Sequence, residues 1–135
     1  MSRRENRVVD SSEVMSILIE EEGCRHLNTY LDLFDHIWIG APTLVEIYIL
    51  MITKFENTGM ERLLRFLKRI EAEVVPFNRM HFMEAAEAYR RFGKGRHPAR
   101  LNLGDCHSYA VAKLMDAPLL YKGNDFAQTD LPRLT

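Results

Sequence analysis

Residues 100–126, RLNLGDCHSYAVAKLMDAPLLYKGNDF, decide how this chain is read. The stretch predicts a helix over Leu103 to Met115 with Asp105 in its first turn. A short apolar strand follows over Leu119 to Tyr121, with Asp125 just beyond it. Working outward, the same alternation recurs. Arg7 to Val9 reads as a first strand ending at Asp10. Helices are predicted over Ser12 to Glu22 and Arg25 to Phe34, where Val14, Ile17 and Leu18, then Leu27, Tyr30, Leu31 and Phe34, fall at helical spacing. His36 to Ile39 returns to strand. Thr43 and Glu46 have the spacing of a capping box, which predicts a helix from Thr43 to Phe55. Met60, Leu63, Leu64, Leu67 and Ile70 stripe another helix, Glu73 to Pro76 form a strand, and Phe82, Ala85, Ala86, Tyr89 and Phe92 stripe a further helix. Strands alternating with helices imply an α/β domain with a mainly parallel central sheet and helices on both faces.

Composition narrows the function classes. The chain has 135 residues, 47% hydrophobic and 27% charged, with a net charge of −1. That suits one globular domain over residues 1–135 and excludes a strongly basic nucleic-acid coat, though a local basic strip remains compatible with RNA. Cys24 and Cys106 have neither zinc-site spacing nor the density of a disulfide scaffold. The apolar run behind MSRRENR is too short for a signal peptide, and no stretch approaches the ~18 apolar residues of a membrane span, so a cytoplasmic location is expected.

Four acids stand at element edges: Asp10 after the first strand, Glu46 and Asp105 in the first turns of helices, and Asp125 after the last strand. In open α/β sheets, ligands gather outside the carboxyl ends of the strands, where acids from four distant segments would converge. Such a cluster repels itself unless a cation holds it. An all-oxygen donor set suits Mg2+, or Mn2+, over zinc.

The segments VVDSSEVMSIL, TLVEIYIL, GKGRHPARLNLGDCHSYAVAK and PLLYKGNDFAQTDL closely resemble the PIN-domain ribonuclease toxins of the VapC type, over almost the whole chain. The resemblance implies a PIN fold, magnesium-dependent endoribonuclease activity, a VapB-type antitoxin as partner, and a homodimer. Asp10 and Asp105 match the family's principal metal ligands, and Glu46 either completes the cluster or serves only as a cap. Many relatives carry an acid where this chain has Gly123, so the fourth acid, Asp125, arrives two positions later, with Asn124 between as a further oxygen donor. Ser12 matches the family's hydroxyl after the first acid, or else caps the following helix.

Glu13 reads as a solvated acid of the first turn, and Asp130 as a solvated turn residue. Arg90, Arg91, Lys94, Arg96, His97 and Arg100 form a basic strip; Arg91, Lys94, Arg96 and Arg100 are the candidates for an RNA backbone. His107, a lone histidine on a helix, reads as packed or exposed rather than as a general base, since metal-activated water needs no histidine. The Thr43 to Phe55 helix is apolar nearly all round, which fits either a central core helix or one shared with a second copy. The rival readings are a metal-dependent DNA nuclease or phosphoesterase using the same acids, and a catalytically silent PIN module that binds RNA or protein.

Overall fold

The computed structural model describes residues 6–19 and 34–132. Four strands, β1 (Asn6–Val9), β2 (His36–Gly40), β3 (Glu73–Val75) and β4 (Leu119–Leu120), form one sheet in the order β3-β2-β1-β4. All three pairings are parallel. Five helices accompany them: α1 (Ser11–Leu18), α2 (Ala41–Phe55), α3 (Gly59–Arg69), α4 (Arg79–Phe92) and α5 (Leu103–Met115). The last is bounded as the sequence predicts.

Register shows how the layers are made. Val8 pairs with Leu119 and Val9 with Leu120. Successive strand side chains point to opposite faces, so each pair feeds a different core. Val8 and Leu119 join Ala88, Phe92, Leu101, Tyr109, Val111 and Phe126 beneath α4 and α5. Val9 and Leu120 join Val14, Ile17, Ile37, Ile39, Ile47, Met51, Leu63 and Phe66 beneath α1, α2 and α3. Both faces of the sheet are therefore covered, as a parallel sheet requires. Each fully buried Val, Leu or Ile contributes about 1.5–3 kcal/mol relative to exposure.

Two helix starts depart from the sequence reading, and a third, that of α4, is set by the structure. Asp10, not Ser12, caps α1: its carboxylate accepts from the Ser12 backbone N–H, so the helix begins at Ser11. Helix α2 begins at Ala41 with Gly40 as N-cap and no side-chain cap bond, so the Thr43–Glu46 capping box does not form. Pro42, in the first turn, lacks the N–H that would have needed a partner. Gly40 is fixed by crowding, because a Cβ there would lie 2.9 Å from Val111 Cγ2. Helix α4 begins at Arg79, where Asn78 and His81 form a capping box. The predicted helix over Arg25 to Phe34 lies outside the described residues except for Phe34, which is not helical.

The segment after β4 is tied down at both ends. Near its start, the Lys122 backbone N–H donates to Ser12 Oγ at 3.0 Å. Near its end, Asp130 accepts from the Tyr109 hydroxyl at 2.5 Å, Lys113 Nζ at 2.9 Å and Arg91 at 3.3 Å. Asp130 is thus an anchor across α4 and α5, not a solvated turn residue. Among the described residues, no helix is long and apolar enough to cross a membrane.

Candidate active site

The site lies where the carboxyl ends of β1 and β4 meet the starts of α1, α2 and α5. Asp10 leaves β1 with its backbone N–H donated to Leu120 O at 2.9 Å, which fixes it beside β4. Its Oδ2 accepts from Ser12 Oγ at 2.6 Å and its Oδ1 from Ser108 Oγ at 2.5 Å. The residue is only 2% exposed. Thr43 Oγ1 in turn lies 3.4 Å from Ser108 Oγ. Hydroxyls from α1, α2 and α5 therefore hold this carboxylate in place, while Ser12 links it to the segment after β4.

Glu46 projects from α2 against the start of α5. A Cβ on Gly104 would sit 2.7 Å from Glu46 Oε1 and 2.9 Å from Oε2, so any larger residue there would displace that carboxylate from its place beside the start of α5. Burial raises its pKa above the usual carboxylate range, the Ser11 side chain opposes this with a hydrogen bond, and the charge of Asp10 adds to the rise.

Asp105 has two roles in the geometry. Asn102 caps α5 by accepting from the Asp105 backbone N–H at 2.9 Å, and Asp105 Oδ2 accepts from the Asn102 N–H at 3.0 Å, a reciprocal capping box. Its pKa is nevertheless pushed up to about 6, first by burial and then by the charges of Asp10, Asp125 and Glu46, against the lowering effect of the Asn102 bond. The four acids are thus within electrostatic range of one another. Asp125 reaches this range because the chain turns at Gly123, whose φ of +103° is unfavourable for any residue with a Cβ. Asn124 is exposed and makes no described contact with the acids.

Among the described residues, no three Asp, Glu, His or Cys side chains are already drawn together closely enough to grip a metal ion. The donor chemistry nevertheless fits a hard divalent cation: oxygen ligands only, and a raised Asp105 pKa set first by burial and then by repulsion from the other acids, which a cation would relieve.

Sequence reasoning missed Ser11, Thr43, Gly104 and Ser108. The signal for Ser108 was its place three residues after Asp105, on the same helix face. Glu13 was misread: it is 3% exposed, not solvated.

The basic strip divides. Arg90 pairs with Glu87, and Arg91 is held by Asp130 and stacks over Phe92. Lys94, Arg96 and Arg100 remain exposed. His97 Nδ1 accepts from the Ala99 N–H at 3.0 Å and its ring packs edge-on against Phe92. His107 packs edge-on against Phe77, and burial lowers its pKa, in keeping with a packing role. It also walls an apolar groove of about 420 Å³ beside the acids, with Pro42, Val45, Glu46, Ile49, Leu50 and Leu103.

The PIN domain family model matches residues 7–131. Ribonuclease VapC42 of Mycobacterium tuberculosis is 36% identical over 126 residues, covering 92% of this chain and 95% of that protein. This chain is a PIN-domain protein of the VapC ribonuclease family. Ribonuclease VapC of Mycolicibacterium smegmatis is likewise 36% identical over 124 residues, covering 92% of this chain and 96% of that protein. Among solved structures, the sarcin-ricin loop cleaving toxin VapC20 of Mycobacterium tuberculosis superposes with a TM-score of 0.74 at 12% identity, covering 95% of this chain and 98% of that one. VapBC2 of Rickettsia felis, bound to a DNA fragment from its promoter, gives 0.69 at 17% identity over 90% of each. At those identities the likeness shows the fold.

Proposed function

We propose that this VapC-family ribonuclease is a toxin that hydrolyses RNA phosphodiester bonds with water activated by a divalent cation, Mg2+ or Mn2+, held by Asp10, Glu46, Asp105 and Asp125. The observation that carries this reading is the convergence of Asp10, Glu46 and Asp125 on Asp105 from separate segments, where burial first and then their three charges raise the Asp105 pKa. A bound cation lowers the pKa of water and stabilises charge on the phosphorus oxygens. The protein's own part is positional. Ser12 and Ser108 fix both oxygens of Asp10, Gly104 admits Glu46, and Asn102 orients Asp105. Lys94, Arg96 and Arg100 would neutralise backbone phosphates near the start of α5.

A VapB-type antitoxin would keep this activity silent in the cytoplasm, a partnership supported by the VapBC complexes among the structural neighbours. The direct test compares cleavage of single-stranded RNA with single-stranded DNA, with Mg2+, Mn2+ or a chelator. Cation-dependent cleavage of RNA alone is expected. Cleavage of DNA would favour the broader phosphoesterase, and binding without cleavage the silent module.

Self-association belongs to the same proposal. Thr43, Ile47 and Met51 turn the buried side of α2 inward, whereas Val45 and Ile49 are 58% and 53% exposed. With Leu50 and the 71% exposed Leu103, they form an apolar face that a second copy would cover. Ile52 lies on a different side, beside Tyr48 and Met60, so it is a poorer probe of this face. Ile49→Glu is expected to shift a dimer to monomer in light scattering across a concentration series. A wild-type protein that stays monomeric at high concentration overturns the assignment.

A further inference from the structure

Asp105, Tyr109 and Lys113 follow one another at four-residue spacing, so they line one side of α5. The segment after β4 meets that side at two places. The charge of Asp125 reaches Asp105 near the start of the helix. Further along, Asp130 accepts from the Tyr109 hydroxyl at 2.5 Å and from Lys113 Nζ at 2.9 Å. Helix α4 adds a third hold on Asp130 through Arg91, at 3.3 Å. The segment therefore runs beside α5 in the same direction, with Asp125 at the candidate site and Asp130 fastened beyond it.

The three donors are unequal. Lys113 and Arg91 are exposed, and ion pairs at the surface contribute little. Tyr109 is buried in the core beneath α4 and α5, where its hydroxyl needs a partner and a bond to a carboxylate is strong. Between the two acids the chain is internally braced. Asp125 opens a 3-10 turn over Phe126–Gln128, its carbonyl accepting from the Gln128 N–H at 3.3 Å. The Thr129 hydroxyl donates to the Phe126 carbonyl at 2.7 Å and accepts from the Leu131 N–H at 3.2 Å, while the side chains of Phe126 and Leu131 are buried. Asp125 itself is exposed, and among the described residues no side-chain hydrogen bond to it is seen. Its place is set by its backbone, and that backbone is fastened at Asp130.

We propose that Asp130 is a positioning residue of the candidate site: by its bond to Tyr109 it fixes the segment carrying Asp125 along the same helix that carries Asp105. The inference rests on the cation-dependent reading of the four acids and gives a duty to a residue that reading leaves out. A merely structural Asp130 would serve only to satisfy the buried Tyr109 hydroxyl and pin the end of the chain. The two roles separate in whether the loss of Asp130 is felt through Asp125.

The test is calorimetric titration of Mn2+ into the cation-free full chain as wild type, Asp130→Ala, Asp125→Asn and the double variant, with each melting temperature recorded alongside. Asp130→Ala is expected to weaken Mn2+ binding by about tenfold, as loss of an outer partner of a metal site does, and to weaken it no further in the Asp125→Asn background. A merely structural Asp130 lowers the melting temperature and leaves Mn2+ affinity unchanged, or weakens it by the same factor in both backgrounds. Either result overturns the proposal while the four-acid reading stands. Should Asp130→Ala fail to fold, Tyr109→Phe, which removes only the hydroxyl, takes its place in the same comparison. Asp125→Asn that binds like the wild type removes Asp125 from the ligand set, and the positioning role of Asp130 with it. Wild-type protein that binds no Mn2+ overturns the cation site itself and the proposal that rests on it.

Discussion

Asp105→Asn and Asp10→Asn are each expected to reduce RNA cleavage by more than about 100-fold, the upper end of what loss of an outer partner of a metal site costs. The two variants differ in what they put at risk. In Asp105→Asn the amide oxygen can still accept from the Asn102 N–H, so the capping box over α5 survives and the fold should hold. In Asp10→Asn one side-chain oxygen becomes an NH2 group. If the amide oxygen keeps the Ser12 bonds, the NH2 faces Ser108 Oγ, and that hydroxyl can turn from donor to acceptor.

Both variants should therefore remain folded by circular dichroism, with a modest loss of melting temperature for Asp10→Asn. Wild-type cleavage in either would remove that acid from the site. Glu46→Gln separates the remaining alternatives. Its capping role is gone, since α2 is capped at Gly40, so lost cleavage at unchanged stability marks a functional acid.

The fold was legible because its signals are local. Asp105 opens a helix whose apolar residues recur at helical spacing, and Leu119 and Leu120 make a short apolar run that ends in turn residues. Patterns of that kind survive into the structure nearly residue for residue. The convergence of the acids followed from the general habit of parallel sheets and needed no knowledge of distances. What the sequence concealed depends on contacts between distant segments. Ser108 meets Asp10 across 98 positions of chain, and nothing near either residue announces the bond.

Helix starts were misplaced for a related reason. Thr43 and Glu46 have the right spacing for a cap, but β2 runs straight into α2 at Gly40. Glu46 is thereby carried into the second turn and turned toward Gly104. Glu13 looked like an ordinary first-turn acid because burial depends on packing between segments, which its neighbours in sequence do not announce.

The acid cluster also sets a pH dependence whose sign can be worked out. The pKa of Asp105 stands at about 6, above its ordinary value of 3.8, chiefly through burial and then through its acidic neighbours. A carboxyl whose pKa is higher in the native state holds its proton more tightly there. Its favourable contribution to the cation-free fold is thus complete below pH 3.8 and is lost as the pH rises through about 6. At neutral pH the cation-free protein carries an ionised Asp105 among like charges. Asp105→Asn removes that charge, so its cation-free melting temperature should exceed the wild type's at pH 7.5, with the gap closing at pH 5.

Cation binding runs the other way, since a ligand must be deprotonated to hold the metal. Below pH 6 the affinity of the wild type for Mg2+ or Mn2+ should fall by about tenfold per pH unit for the one proton that must leave. The melting-temperature gain from saturating Mn2+ at pH 7.5 should shrink markedly at pH 5. An equal gain at both values would show that Asp105 does not need to ionise for the cation to bind, and would remove it from the ligand set.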